Sequence, residues 1–216
     1  NTKDIDGIEN GECKPEIMWR EERGQRNTLE QDNFPPSLYG NGRINPTQNF
    51  VDAFPMANGE PITAEGSGYN KDNPYVDRDP RLALYVVTNG STQGVANKTI
   101  TTAADGTTQD AINKLEGKST RTGYYLRKLM RSDINLDPSK KTTQYHYNAR
   151  IRFTEMFLSY AEAANEAWGP KGKGGHGYSA YDVIKAIRER AGLGEFGEDP
   201  YLEECAESKD KMRELI

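Results

Sequence analysis

The chain has 216 residues, a formal net charge of −5 and 34% hydrophobic residues. The length suits one domain of ordinary size, and the low apolar content means that a core must be concentrated in a few segments. The sequence has no basic stripe, so neither nucleic acid nor an anionic membrane surface is an expected partner, because both bind through lysine and arginine. No apolar run approaches the ~20 residues of a transmembrane helix.

The first third of the chain is dominated by turn signals. Residues 1–50 are polar and show no helical or strand period. A short helix is predicted within residues 46–54, because Thr47 can cap it and apolar residues follow at helical spacing. Asn58-Gly59 predicts a tight turn.

The middle of the chain is predicted to form short strands between long loops. Residues 82–87, LALYVV, form the best strand pattern, bounded by Asn89-Gly90. Residues 95–111 are rich in threonine and predict a strand or an extended loop. Residues 124–126 predict a further strand, and residues 133–147 predict a polar loop.

The C-terminal third changes to a helical pattern from Arg150 onward. Its apolar residues recur at the spacing of one broad helical stripe: Phe153, Met156, Phe157, Tyr160, Ala161, Ala164 and Trp168. The spacing favours a buried core stripe, and the alternative is that Met156, Phe157, Tyr160 and Trp168 line a ligand pocket. Gly169-Pro170 ends this helix.

Two further helices are predicted after a glycine-rich link. The first begins at Ser179, with Asp182 completing a capping box, and ends at Gly192. The second begins at Asp199-Pro200 and continues to the C-terminus, although Lys209 interrupts its apolar stripe. The predicted fold is therefore mainly α, with a tetratricopeptide-like helix pair, long ordered loops and a few short β-strands.

Candidate ligand-binding residues are aromatic and planar polar side chains in the patternless loops. A sugar ring is held by a flat apolar side chain beneath it and by amide, carboxylate or guanidinium groups at its edge. The two clusters of this kind are Trp19, Arg20, Asn33, Tyr39, Asn41 and Arg43, and Tyr69 and Tyr75 beside Asn70 and Asn73. The alternative is that these aromatics fold back onto the helices as part of the core.

Other chemistry finds little support in the sequence. The G-x-G-x-x-G match at residues 172–177 follows a helix, whereas a dinucleotide site needs a preceding strand, so no cofactor is expected. The carboxylates of Asp72, Asp77 and Asp79 lack the spacing of an EF-hand, and a turn is favoured over a calcium site. Two cysteines and two histidines do not make a convincing zinc site, and whether Cys13 and Cys205 pair is left open.

Four ordered blocks between residues 45 and 192 resemble the SusD/RagB family of outer-membrane glycan-binding lipoproteins. They are residues 45–62, residues 77–82, residues 122–129, and the segment from Arg150 to Gly192 that contains RFTEMFLSYAEAANEA and AYDVIKAIRERAGL. The chain begins without methionine and ends within a charged helical pattern. We therefore expect one SusD/RagB-like domain taken from the C-terminal part of a longer protein, loop-rich over residues 1–149 and helical over residues 150–216.

The resemblance implies a binding protein without enzymatic activity. Members of the family bind oligosaccharides and deliver them to a SusC-like TonB-dependent transporter at the cell surface, and the parent protein is lipid-anchored to the outer membrane. The helical repeats would then form the scaffold while loops hold the sugar. A glycoside hydrolase fragment and a helical-repeat protein–protein adaptor are the two alternatives.

Overall fold

A computed structural model of the chain describes residues 16–21, 24–146, 148–194 and 198–216. Helices account for 31% of the described residues and strands for 13%, so the prediction of helices with a few short strands is confirmed. The chain forms two compact units that are each built from separate stretches of sequence. The first comprises Arg20–Ala53 and Leu82–Asn148, and the second comprises Pro15–Trp19, Phe54–Arg81 and Ala149–Ile216.

Short strands and short helices make up the first unit. Its elements in chain order are β2 (Gly24–Arg26), α1 (Thr28–Asn33), a 3₁₀ turn (Pro36–Leu38), α2 (Gln48–Asp52), β3 (Val86–Val87), β4 (Thr92–Gln93), β5 (Lys98–Thr99), β6 (Tyr125–Leu126) and β7 (Gln144–His146). The strands form antiparallel pairs: β2 with β7, β3 with β6, and β4 with β5. Such short pairs need apolar cover to be stable.

Two small apolar clusters provide that cover, and Leu38 packs against both. One consists of Phe34, Met130, Ile134 and Leu136, and the other of Val87, Ile100 and Tyr125. The unit also buries a charged group, since Glu30 is fully buried. Its Oε1 accepts a hydrogen bond from the Arg131 backbone N–H at 2.8 Å and lies 3.3 Å from His146 Nε2.

Helices dominate the second unit. Its elements are β1 (Ile17–Arg20), whose last residue belongs to the first unit, β8 (Ala149–Arg152), α4 (Phe153–Trp168), α5 (Ala180–Ala191), α6 (Pro200–Cys205) and α7 (Lys209–Leu215). Strand β1 pairs with β8, and helix α4 packs against both α5 and α7. The remaining helix, α3 (Pro80–Tyr85), spans the sequence boundary between the units.

The core of the second unit combines apolar packing with one buried ion pair. The packed residues are Ala161, Ala164, Ala180, Val183, Ile184, Leu202, Cys205 and Met212. Beside them, the Arg188 guanidinium binds the Asp199 carboxylate at 2.5 Å and donates to the Gly59 carbonyl at 2.9 Å. The ion pair therefore fixes the loop around Gly59 to α5 and to the start of α6.

Helix ends with local signals are where the sequence predicted them. The Thr47 hydroxyl accepts from the Phe50 N–H and caps α2. Ser179 and Asp182 form the predicted capping box of α5, and Gly192 ends that helix in the left-handed conformation. The end of α4 at Gly169 is also confirmed.

The strand prediction for residues 82–87 is wrong for all but its last two residues. Residues 80–85 form α3, and only Val86–Val87 is a strand. The Asp79 carboxylate accepts from the Arg81 N–H at 2.8 Å at the start of this helix, with Pro80 as its first residue. Asp-Pro is a helix start signal, and it outweighs the β-propensity of the apolar run.

The core interpretation of the α4 stripe is also wrong in part. Ala161 and Ala164 are buried, but the side chains of Phe153, Met156, Phe157 and Trp168 are between 38% and 45% exposed. Thr154 and Asn165 are buried in their place. The buried face of α4 is therefore narrower than the apolar stripe, and it follows the small residues that allow close helix packing.

Other elements also differ from the predicted course of the chain. The last predicted helix is two helices, because Ser208 caps a new one by accepting from the Lys211 N–H. Helix α1 and strand β7 lie in segments that were predicted to be irregular. Helix α1 buries Glu30 and Asn33, so it has no apolar period for the sequence to reveal. Within the described residues, no helix is both long and apolar enough to cross a bilayer.

Candidate functional site

A polar cleft of about 550 Å³ lies in the first unit. Its volume falls within the range of ordinary small-ligand sites, ~300–1,000 Å³. One wall is the segment 42–45 and the other is the loop 113–121. The lining residues are Gly42, Arg43, Asn45, Asn113, Lys114, Leu115, Glu116, Gly117, Ser119 and Arg121.

Contacts between backbone and side chains hold the two walls together. The Asn45 side chain accepts from the Arg121 N–H at 3.1 Å and donates to the Gly42 carbonyl at 2.9 Å. Gly42 has φ of +51°, and a Cβ at this position would overlap the carbonyl oxygen of Lys118. Only glycine fits there, because it lacks a Cβ and tolerates positive φ. The close approach sets the spacing of the walls.

Buried hydroxyl groups anchor the 113–121 loop at its base. Ser119 Oγ accepts from the Leu115 N–H at 2.8 Å and donates to the Gln109 carbonyl at 2.6 Å. The Tyr125 hydroxyl donates to the Asp110 carbonyl and accepts from the Thr120 N–H. Burial raises the pKa of Tyr125 to about 12, so it stays a neutral donor at physiological pH. A loop held this way is pre-organised for binding.

The cleft presents planar polar groups with an excess of positive charge. Amide groups come from Asn45 and Asn113, and cationic groups from Arg43, Lys114 and Arg121. Arg43 lies 3.3 Å from Asp32 in an exposed ion pair. Glu116 is the one carboxylate among the described residues that line the cleft, and Leu115 contributes an apolar side chain that is 38% exposed. These groups suit a ligand rich in hydroxyls or bearing negative charge.

The structure divides the first predicted ligand cluster between the two units. Trp19 is in the second unit, whereas Arg20, Asn33, Tyr39, Asn41 and Arg43 are in the first. Of these, Arg43 lines the cleft. Trp19 and Tyr39 are 61% and 59% exposed, and Asn33 is buried. The large exposed area of the two rings is compatible with sugar stacking, and it rules out a core role for them in the structure described.

The second predicted cluster lies in the second unit. The Arg78 guanidinium carbon is 5.5 Å from the centre of the Tyr69 ring. Both Tyr69 and Tyr75 are half-buried. The Arg78 side chain is itself tied to the carbonyls of Phe54 and Pro74, so Tyr69 packs against a fixed cation in a folded loop.

Several cleft residues were missed from the sequence. Asn113, Glu116 and Arg121 fall in the segment NKLEGKSTR, which is dense in polar residues around Gly117. That composition is typical of a turn, and it does not indicate which distant segment the loop contacts. The partner is Asn45, which is 76 positions away from Arg121.

An apolar groove of about 330 Å³ lies between α4 and α5 in the second unit. Phe157, Tyr178, Val183 and Ile187 line it, together with the edges of Asp182 and Arg190. Aromatic rings form a continuous series with neighbouring centres 5.1–6.5 Å apart, and all of them except the half-buried Tyr160 belong to exposed residues: Phe153, Phe157, Tyr178, Tyr160, His176 and Trp168. The sequence offered Met156, Phe157, Tyr160 and Trp168 as an alternative pocket lining, and of these four residues Phe157 lines the groove.

Metal chemistry has no site among the described residues. No group of three histidine, cysteine, aspartate or glutamate side chains comes together there in an arrangement that could hold an ion. Asp79 instead pairs with Arg81 at 2.6 Å. Cys205 is buried, and burial raises the pKa of its thiol. Cys13 lies outside the described residues, so its predicted pairing stays a prediction.

Known proteins of one family resemble this chain in both sequence and fold. The model of the SusD family matches residues 15–216. The structure is similar to a SusD-like carbohydrate-binding protein from Bacteroides fragilis, with a TM-score of 0.62, 20% identity, and coverage of 88% of this chain and 38% of that one. A second SusD-like protein from Bacteroides fragilis has a TM-score of 0.66 and 22% identity, and the match covers 100% of this chain and 44% of that one.

The chain thus spans about two fifths of the length of these solved structures. At such low identity, the likeness establishes the fold and not the ligand. No curated protein matches the chain in sequence.

Proposed function

The chain belongs to the SusD family, and we propose that it is part of a surface-exposed glycan-binding protein of an outer-membrane nutrient uptake system. In this proposal the parent protein is lipid-anchored and hands oligosaccharides to a SusC-like TonB-dependent transporter. The observation that carries the sugar-binding part is the pre-organised polar cleft between residues 42–45 and 113–121. The SusD-like neighbour with similar fold is described as carbohydrate-binding.

The cleft supplies the groups that sugar hydroxyls need. Asn45 and Asn113 offer amides, which both donate and accept hydrogen bonds. The guanidinium of Arg121 offers planar donors, and Leu115 offers an apolar surface to the C–H face of a pyranose. The exposed rings of Trp19 and Tyr39 stay proposed stacking surfaces, as do the other predicted contacts: Arg20, Asn41, Arg43, Tyr69 and Tyr75.

We propose binding without catalysis. Hydrolysis of a glycosidic bond needs two carboxyl groups about 5–10 Å apart on either side of the bond. Among the described residues that line the cleft, Glu116 alone carries a carboxylate. A reducing-sugar assay on any glycan that binds tests this directly, and release of sugar would support the hydrolase alternative.

The helical part is proposed as scaffold. Helices α4 and α5 pack against each other, with Ala161 and Ala164 buried in the shared core, and we interpret them as a tetratricopeptide-like repeat within a single SusD-like domain. Stacked repeats of this kind bury each other's faces. The scaffold would also face the transporter, so nutrient capture and transporter docking would use different surfaces.

Calorimetric titration with a panel of oligosaccharides tests the proposed cleft. Asn113 has φ of +55°, so Asn113→Gly removes its amide side chain without straining the backbone. We expect this variant to weaken binding about tenfold or less, the usual range for one lost hydrogen bond. Asn97→Gly is the matched control, because Asn97 also has positive φ but lies outside the cleft.

Unchanged affinity in Asn113→Gly, or absence of binding to every glycan, would count against the cleft. Absence of sugar binding with retained association with the transporter would favour the adaptor alternative. The double variant Trp19→Ala/Tyr39→Ala tests the stacking residues in the same titration. Full affinity in that variant would remove both rings from the site.

A further inference from the structure

We infer that the cleft between residues 42–45 and 113–121 selects acidic oligosaccharides, those that carry carboxylate or sulfate groups. This inference rests on the proposed glycan-binding function and narrows its ligand class. The starting observation is the lining of the cleft, where three cationic side chains accompany a single carboxylate. The chain as a whole has the opposite balance, with a net charge of −5.

Two of the three cations are available to a ligand. Neither Lys114 nor Arg121 has an ion-pair partner among the described residues, and both side chains belong to exposed residues. Arg43 differs, because Asp32 lies 3.3 Å from its guanidinium. Elsewhere in the chain, Arg81, Arg131 and Arg213 are each engaged by a carboxylate. The charges of Lys114 and Arg121 are therefore free to pair with an anionic group of a ligand in this cleft.

The backbone that carries these cations is fixed. The Arg121 N–H is held by the Asn45 side chain at 3.1 Å, and the Lys114 N–H donates to the Ala111 carbonyl at 3.1 Å. The loop between them is closed by Ser119. The two charges thus lie on one anchored loop that forms a wall of the cleft, so little backbone ordering opposes binding.

The two side chains are complementary in their chemistry. A guanidinium presents parallel N–H donors that match a carboxylate or sulfate in a bidentate manner, whereas an ammonium acts as a point charge. The amides of Asn45 and Asn113 remain to bind hydroxyls of the same sugar. Glu116 lies in the same lining, and the two unpaired cations outnumber its single negative charge. A neutral glycan would use the amides but leave both cations without a counter-charge.

Matched pairs of ligands test the inference on the chain itself. Oligogalacturonate is compared with its methyl ester, and a sulfated oligosaccharide with its desulfated form, by calorimetry at low and high salt. We expect the acidic member of at least one pair to bind roughly tenfold or more tightly than its neutral partner, because a charge-assisted hydrogen bond contributes more than a neutral one. Salt should weaken this preference, since the cations are exposed.

The variant Lys114→Gln/Arg121→Gln should abolish the preference for the acidic ligand. Lys118→Gln is the matched control, because Lys118 belongs to the same loop and does not line the cleft. The inference is overturned if acidic and neutral partners bind equally, or if the double variant keeps the preference. Binding restricted to neutral glycans also overturns it while leaving the proposed function in place. If no acidic or neutral glycan binds, both fail.

Discussion

At the scale of single residues, two glycines of the cleft show how the site is built. Gly42 and Gly117 both have positive φ, +51° and +72°. They differ in their surroundings: Gly117 faces open space, whereas Gly42 contacts the carbonyl of Lys118 and the ring of Tyr125. Glycine is thus favoured at Gly117 because of its positive φ alone. At Gly42 it is favoured both by the positive φ and by the lack of space for a Cβ.

Replacing these glycines by alanine should separate the two effects. Gly117→Ala should destabilise the chain by about 1–2 kcal/mol, the cost of a left-handed conformation for a residue with Cβ. Gly42→Ala should cost more, and it should also weaken glycan binding, because the two walls must move apart. Urea unfolding followed by circular dichroism, with the titration above, measures both. Equal losses in the two variants would show that the contact at Lys118 does not define the cleft.

At the scale of elements, the caps explain why some helices were predicted well. The capping box of α5 is local, since the Asp182 carboxylate accepts from the Ser179 N–H at 2.9 Å and from its hydroxyl at 3.0 Å. Helix α3 shows the limit of propensity, because Asp79 and Pro80 start a helix in an apolar run that resembles a strand. Helix α1 has no apolar signal, since the burial of Glu30 depends on the distant residues Arg131 and His146.

The same contrast holds for the cleft. The sequence predicted Arg43 as a ligand-binding residue from its position among loop aromatics, but it did not predict the opposite wall of the cleft, residues 113–121. The two walls meet through Asn45 and Arg121, and the sequence carries no periodic signal for a contact between loops that distant. Exposure of Phe153 and Phe157 was missed for a related reason: periodicity identifies an apolar stripe, and packing partners decide how much of it is buried.

The capping box makes a pH-dependent contribution to α5. The Ser179 backbone N–H and then its hydroxyl hold the pKa of Asp182 below the ordinary value of 3.8. Because the pKa is lower in the folded state, the stabilisation is complete above pH 3.8 and is lost as the pH falls through the lowered pKa. Asp182→Asn should therefore lower the urea midpoint at neutral pH, and the difference from wild type should shrink as the pH falls below 3.8.

Asp105→Asn serves as the control, because Asp105 lies in an exposed turn and its carboxylate makes no hydrogen bond within the described part of the chain. That substitution should leave the midpoint nearly unchanged at every pH. A difference for Asp182→Asn that stays constant down to low pH would mean that the cap acts through geometry alone and not through the charge of the carboxylate.

At the scale of the whole molecule, a chain of the SusD family carries one polar cleft that could hold a sugar. The SusD family model covers nearly all of the chain, and the charge of the cleft is opposite in sign to the net charge. The solved neighbours are more than twice as long as the part that matches here. Transport and membrane anchoring are accordingly proposals about the whole protein, whereas ligand binding at the cleft can be tested on this chain.

The most direct test is a ¹H–¹⁵N NMR titration of the chain with oligosaccharides from the panel. We expect amide shifts to change mainly in residues 42–45 and 113–121, in a saturable manner. The apolar groove between α4 and α5, marked by Phe157 and Tyr178, should be unaffected and serves as the internal reference. Saturable changes centred on that groove, or no saturable change with any glycan, would contradict the assignment of the polar cleft as the sugar-binding site.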